Sequence, residues 1–197
     1  MPRFTRAELE SFLDAEVPDL LGPDCRLLFV GINPGLWTAA TQTHFAHPGN
    51  RFYPALLRAG IIDRQIDPAA GMTDADRAYL VARGIGITNL VRRATARADE
   101  LITAELLAGG EQLLATVGAV APRVVAIAGI TAYRQAFGVR TARAGQQPEP
   151  LAGADLWVVP NPSGLNAHET IDSLAEAYAA PARAAGLRLA AKKAASG

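Results

Sequence analysis

Three short segments are apolar almost throughout: residues 26–32 (RLLFVGI), 123–129 (RVVAIAG) and 155–160 (DLWVVP). A strand with one wet face alternates apolar and polar residues, and these do not. Both of their faces must be buried, which is the pattern of a parallel sheet covered on two sides. Helical stretches lie between them. Thr5 and Glu8 form a capping box ahead of a helix over 5–16. Residues 51–59 read as a helix stopped by Gly60, and Thr73 with Asp76 caps another running to about Arg83. Further helices are expected over 103–118 (despite Gly109 and Gly110), 130–137 and 169–185, with a short strand and turn over 85–91. The segments 33–50 and 138–153, punctuated by Gly and Pro, read as loops. The expected class is therefore α/β, a short central and mostly parallel sheet sandwiched between helices. The domain plan is an N-terminal helical extension (1–24), one domain (25–188) and a frayed tail (189–197).

Composition narrows the function classes. Half of the 197 residues are apolar and 19% are charged, a globular balance that excludes a disordered chain. No apolar run approaches the ~20 residues needed to cross a bilayer, and MPRFTRAELE is no secretory leader. The single cysteine, Cys25, excludes an intramolecular disulfide and a cysteine-based zinc site. A monomer without membrane contact, in the cytoplasm, is the expected setting. The net charge is zero but unevenly placed: residues 1–24 carry two arginines against six acids, residues 25–100 nine against six. Such arginines usually form a solvated face, yet their planar fork also grips phosphates. Lysine occurs only at Lys192 and Lys193.

Two strands end alike. The first runs into Asn33-Pro34-Gly35, the third into Asn161-Pro162-Ser163-Gly164. Parallel sheets bind ligands at the carboxyl ends of their strands, so both loops fall at one candidate site. Asn33 can orient a water, though unlike a carboxylate it cannot take a proton. An isolated Asn-Pro-Gly is more often a turn whose Asn bonds its own backbone. Phe45, ahead of AHPGNRF, offers a ring that either anchors the loop or stacks on a planar base. His44, His47 and His168 lack metal-ligand spacing. Phosphate-binding glycine loops are missing, Gly84-Ile85-Gly86 being too short, and Ser163 has only His168 as a base candidate. Neither a metal nor a cofactor is expected.

The run Gly31-Ile32-Asn33-Pro34-Gly35-Leu36, then Phe45-Ala46-His47-Pro48-Gly49-Asn50-Arg51-Phe52, resembles the first motif of the mismatch-specific uracil-DNA glycosylase and thymine-DNA glycosylase family. Asn161-Pro162-Ser163-Gly164-Leu165 resembles its second motif. Residues 86–91 (GITNLV) and 95–101 (TARADEL) are similar to its middle segment, and the resemblance spans about 25–180.

The resemblance implies the uracil-DNA glycosylase fold and hydrolysis of the N-glycosidic bond of a base flipped from double-stranded DNA. The substrate would be uracil, with thymine or ethenocytosine as further candidates, mismatched with guanine. An abasic site would remain for downstream repair enzymes at the bacterial nucleoid. Asn33 matches the water-positioning asparagine. Phe45 matches the aromatic stacked on the base, and backbone groups of Ile32 and Phe45 meet its edge. Asn89 and Asn161 fall beside the flipped nucleotide. Gly164, Leu165 and Asn166 match the wedge that fills the gap and touches the widowed guanine, while Ser163 and Arg51 are expected at the DNA backbone. Three positions depart from the family pattern. Asn89 stands where some members have lysine, Trp37 where small residues are common, and Asn166 where serine is frequent. A Schiff-base lyase step needs an amine near the sugar, and the placing of both lysines in the tail argues for a monofunctional enzyme. The alternative is a non-catalytic protein that binds nucleic acid or a nucleobase through the same loops.

Overall fold

The computed structural model describes residues 4–190; the sequence expectations for Lys192 and Lys193 lie outside them. Strand β1 (Leu27–Gly31) lies between β2 (Ile85–Asn89) and β3 (Val124–Ala128), followed by β5 (Asp155–Val159) and the two-residue β4 (Gly145–Gln146). All neighbours pair parallel except β4, antiparallel to β5 at the edge.

Successive side chains of β1 point to opposite faces. Leu27 and Phe29 enter one core, Leu28 and Val30 the other, all fully buried. This is why the segment does not alternate in sequence. The first core packs against helices α3 (Phe52–Arg58), α4 (Asp74–Ala82) and α7 (Ile171–Ala184), the second against α5 (Thr103–Val120) and α6 (Ile130–Phe137). Truncating a central residue such as Phe29 to alanine would cost about 3–5 kcal/mol. The two glycines inside α5 mark close approach. A Cβ at Gly109 would stand 2.3 Å from the Leu90 carbonyl, and one at Gly110 2.7 Å from that of Ala136.

The expected caps form. Thr5 and Glu8 complete a capping box, and the Thr73 hydroxyl accepts from the Asp76 N–H. Helix α1 (Arg6–Glu10) is shorter than the expected 5–16. Its extension is broken because Asp14 takes a left-handed conformation (φ 62°) and donates its N–H to the Ala94 carbonyl, 2.9 Å away. Within the segment 33–50, expected as loop, a helix α2 (Leu36–Thr41) follows the first Asn-Pro turn. The segment ahead of β1 is strapped to β2: Leu20 and Ile87 exchange N–H to carbonyl bonds of 2.9 and 2.8 Å, and Val17 and Leu20 are buried.

Candidate active site

β1 lies between β2 and β3: the chain leaves β1 for β2 on one side, then crosses back to β3 on the other. Such a switch point opens a crevice at the carboxyl ends of the strands. A cavity of about 600 Å³ sits there, lined by Asn33, Phe45, Asn89, Asn161 and Leu165 among others. A second hollow of about 660 Å³, between Tyr53 on α3 and Ala190, collects none of the candidate site residues. The candidate site residues therefore gather at the first.

Asn33 is held through its amide nitrogen. Nδ2 donates to the Thr95 hydroxyl (2.7 Å) and to the carbonyls of Arg93 and Pro34 (both 3.2 Å). Carbonyls only accept, so these partners fix which end of the amide is which. Oδ1 is left without a donor among the described residues, and Asn33 lines the cavity. The Thr95 hydroxyl passes its own proton to the Arg97 carbonyl (2.8 Å), and the Thr95 N–H bonds the Pro34 carbonyl (3.1 Å). Arg93 is gripped in turn by Glu105 (2.5 Å) and Asp14 (3.0 Å). The Arg93 guanidinium, with the Ile102 N–H, holds the Glu105 carboxyl down at about 2.

Phe45 has left-handed backbone (φ 57°), which strains a residue with a side chain by about 1–2 kcal/mol. Two contacts hold it. The buried Tyr53 hydroxyl donates to the His44 carbonyl (3.0 Å), and the Phe45 ring stacks on Phe52 at 4.1 Å and 24°. The rest of the ring lines the cavity, and neither backbone polar group of Phe45 has a partner among the described residues. Ile32 also lines the cavity, its carbonyl taken by the Val91 N–H (2.9 Å). Asn89, at the end of β2, directs Nδ2 to the buried ring of His44 (3.2 Å).

The second Asn-Pro loop is built differently. Asn161 Oδ1 accepts from the Ser163 N–H (3.0 Å), and its carbonyl takes the Asn166 amide (3.1 Å). The Ser163 hydroxyl accepts from the Leu165 N–H (3.3 Å); no hydrogen bond joins it to His168 among the described residues. Leu165 is 88% exposed at the loop tip. Gly164 lies against the first loop, where a Cβ would stand 2.6 Å from the Gly49 carbonyl. Arg51 is partly buried. Its guanidinium donates to the carbonyls of Ser163, Asn166 (2.8 Å) and Glu169, and its N–H to that of Pro162 (3.0 Å). Expected at the DNA backbone, it is instead engaged inside the protein.

The family model of the uracil DNA glycosylase superfamily matches residues 18–181. The chain belongs to the uracil DNA glycosylase superfamily. Its fold is similar to that of a candidate uracil DNA glycosylase of Methanosarcina acetivorans solved by solution NMR. The TM-score is 0.56 at 16% identity, over 87% of this chain and 98% of that one.

For a member of this superfamily, the structure adds residues that sequence reasoning did not single out for the site. Thr95 lies 62 positions from the asparagine it holds, and its only sequence signal is its place in the middle segment. His44 was set aside as lacking metal spacing, yet its ring bonds a pocket side chain. Trp37, near the first motif, turns its indole N–H to the Ala69 carbonyl (3.0 Å) and meets the Phe4 ring edge-on at 4.9 Å. Among the described residues no helix is long and apolar enough to cross a membrane.

Proposed function

We propose that this chain is a monofunctional glycosylase that releases uracil from G·U mismatches in double-stranded DNA. The observation that carries the reading is Asn33: three acceptors lie around its amide nitrogen, its oxygen has no donor among the described residues, and it lines a cavity beside the partly buried Phe45 ring. A flipped pyrimidine stacks on Phe45. A water held by Asn33 Oδ1 attacks C1′ as the C1′–N1 bond breaks, and its proton passes to solvent or to the departing base. The base departs as an anion, and the unpartnered Phe45 N–H is placed to meet that charge. Asn33 orients the water without accepting its proton, so the enzyme gains little from general-base chemistry and turns over slowly. A mismatched pair costs less to open than a paired one, which favours G·U over A·U. The abasic product would pass to downstream repair enzymes. We place the protein, as a monomer, at the bacterial nucleoid.

The test is alkaline cleavage of end-labelled duplexes carrying G·U, G·T, G·ethenocytosine, A·U or unpaired U. G·U duplex should show the fastest strand breakage after alkali, and none without it. A protein that only binds leaves no alkali-labile sites. Residues 4–190 contain no lysine, so borohydride should trap no covalent protein–DNA adduct; an adduct would refute the monofunctional reading.

A further inference from the structure

The arginine expected at the DNA backbone, Arg51, is engaged on carbonyls of its own chain. A strand whose flipped nucleotide enters the cavity still brings its phosphates to the rim. Among the described residues one arginine lines that cavity, Arg97, and one carboxylate, Asp99. The two are bonded to each other across the 3₁₀ turn Ala98–Glu100.

This pair differs from the one behind it. Arg93 is clamped by two carboxylates from distant parts of the chain, Asp14 and Glu105. Asp99 stands only two residues from Arg97 and takes one nitrogen of its guanidinium. The other donors of that guanidinium have no partner among the described residues. The Arg97 side chain is 69% exposed and that of Asp99 62%. An exposed pair contributes little to stability, so exchanging its carboxylate for another anion costs little. Phosphate oxygens fit the planar fork of a guanidinium as carboxylate oxygens do. The carboxylate of Asp99 therefore sits where a phosphate can replace it.

The root of Arg97 is fixed although its head is exposed. Its carbonyl accepts from the Thr95 hydroxyl (2.8 Å) and from the Glu100 N–H (3.2 Å), and the buried Leu101 anchors the segment in the core against α5 and α6. The same Thr95 hydroxyl accepts from Asn33 Nδ2 (2.7 Å). One hydroxyl thus ties the main chain of the arginine to the amide of Asn33. A nucleotide whose C1′ meets Asn33 carries a phosphate on either side of its sugar, and Arg97 stands at the rim to take one.

We infer that Arg97 grips a DNA phosphate next to the flipped nucleotide, and that Asp99 occupies its guanidinium until that phosphate displaces it. The inference rests on the glycosylase reading and adds the backbone contact that Arg51 does not make. Asp99 competes with the phosphate for one fork, so it weakens binding even as it keeps the cavity mouth free of a bare cation.

The test pairs protein variants with neutral linkages in the DNA. Duplexes carry a non-cleavable 2′-fluoroarabino uracil opposite guanine, and each phosphate flanking it is replaced in turn by an uncharged methylphosphonate. At one linkage the replacement should weaken binding of the wild type about tenfold, the loss of one charge-assisted contact. At that linkage it should cost Arg97→Met nothing further, and it should cost Asp99→Asn more than it costs the wild type. On the unmodified duplex, Asp99→Asn should bind several-fold tighter than wild type, and the log–log salt slope of Arg97→Met should be shallower by about 0.9. Each penalty is a ratio for one protein, so a smaller folded fraction does not change it. Equal penalties in wild type and Arg97→Met at every linkage overturn the phosphate contact. Unchanged or weaker binding by Asp99→Asn overturns the competition. Either result leaves the glycosylase reading standing if the wild type still releases uracil from a cleavable G·U duplex. A wild type that neither binds nor cleaves that duplex overturns both.

Discussion

The two Asn-Pro loops begin with the same dipeptide at equivalent strand ends, and their asparagines do opposite things. Asn161 folds its side-chain oxygen onto the Ser163 N–H, the turn-forming habit of asparagine before a loop. Asn33 is prevented from doing so. Thr95 and the Arg93 carbonyl come from across the sheet edge and take its nitrogen, leaving the oxygen to the cavity. The first loop is therefore preorganised by distant partners and suits chemistry. The second is closed on itself, and suits presenting what stands at its tip. What separates the two asparagines here is the set of acceptors around them, not the motif.

The sharpest way to break this contrast is to truncate both asparagines. Asn33→Ala should lower single-turnover release of uracil ~10²-fold or more while leaving DNA binding near wild type. Asn161→Ala removes one turn hydrogen bond, worth about 1 kcal/mol, and should slow release less than tenfold. Similar losses in the two variants would remove the distinction.

Arg51 comes next. With its guanidinium on three carbonyls of the second loop, Arg51→Met removes those bonds and leaves the Glu169 carbonyl without a donor among the described residues, at about 1–3 kcal/mol. Release should fall about tenfold and amide exchange should rise across residues 163–169. The salt dependence of DNA binding should stay unchanged. A lost phosphate contact would instead flatten the log–log slope by about 0.9 and restore the role expected from sequence.

Leu165→Ala should act on the second loop alone. A side chain 88% exposed leaves the melting temperature unmoved when truncated, whereas a buried leucine would cost about 2–5 kcal/mol. Flipping, followed by 2-aminopurine fluorescence beside the mismatch, should slow several-fold as the plug for the vacated stack is lost. A lower melting temperature with unchanged flipping would make Leu165 a packing residue.

The smallest effect lies behind the first loop. The Glu105 carboxyl is held at about 2, well below its ordinary 4.5, chiefly by Arg93. A lowered folded-state value contributes stability that is full above about 4.5 and lost as the pH falls towards 2. Glu105→Gln should therefore melt slightly below wild type at neutral pH, and the gap should close between those two values. A gap independent of pH would refute the ion pair's part in steadying Arg93.

Much of this was legible before any coordinates. Continuous apolar runs marked β1, β3 and β5 because both of their faces are covered, and the caps at Thr5 and Thr73 are local chemistry that sequence displays. Helix α2 was not legible: Gly35 caps it without a side chain, and it ends at Gln42 in a left-handed conformation for which glycine is the usual signal. In the site, the motifs located Asn33, Phe45 and Leu165 at one cavity. The residues that set their geometry were hidden, because Thr95 and His44 act through partners 62 and 45 positions away. Arg51 shows the converse. Its charge suggested a phosphate, and only the fold reveals carbonyls in its path.

The contact between Gly164 and the Gly49 carbonyl leaves no room for even one methyl group. The interval between the aromatic platform and the protruding leucine is therefore set by two main chains lying against each other, with no side chain between them to swell, shrink or rotate. That makes the pair a ruler. Under the proposed glycosylase reading, that fixed span would run from the extruded base to the gap it leaves, and a duplex would be tested by whether it can be drawn to that length.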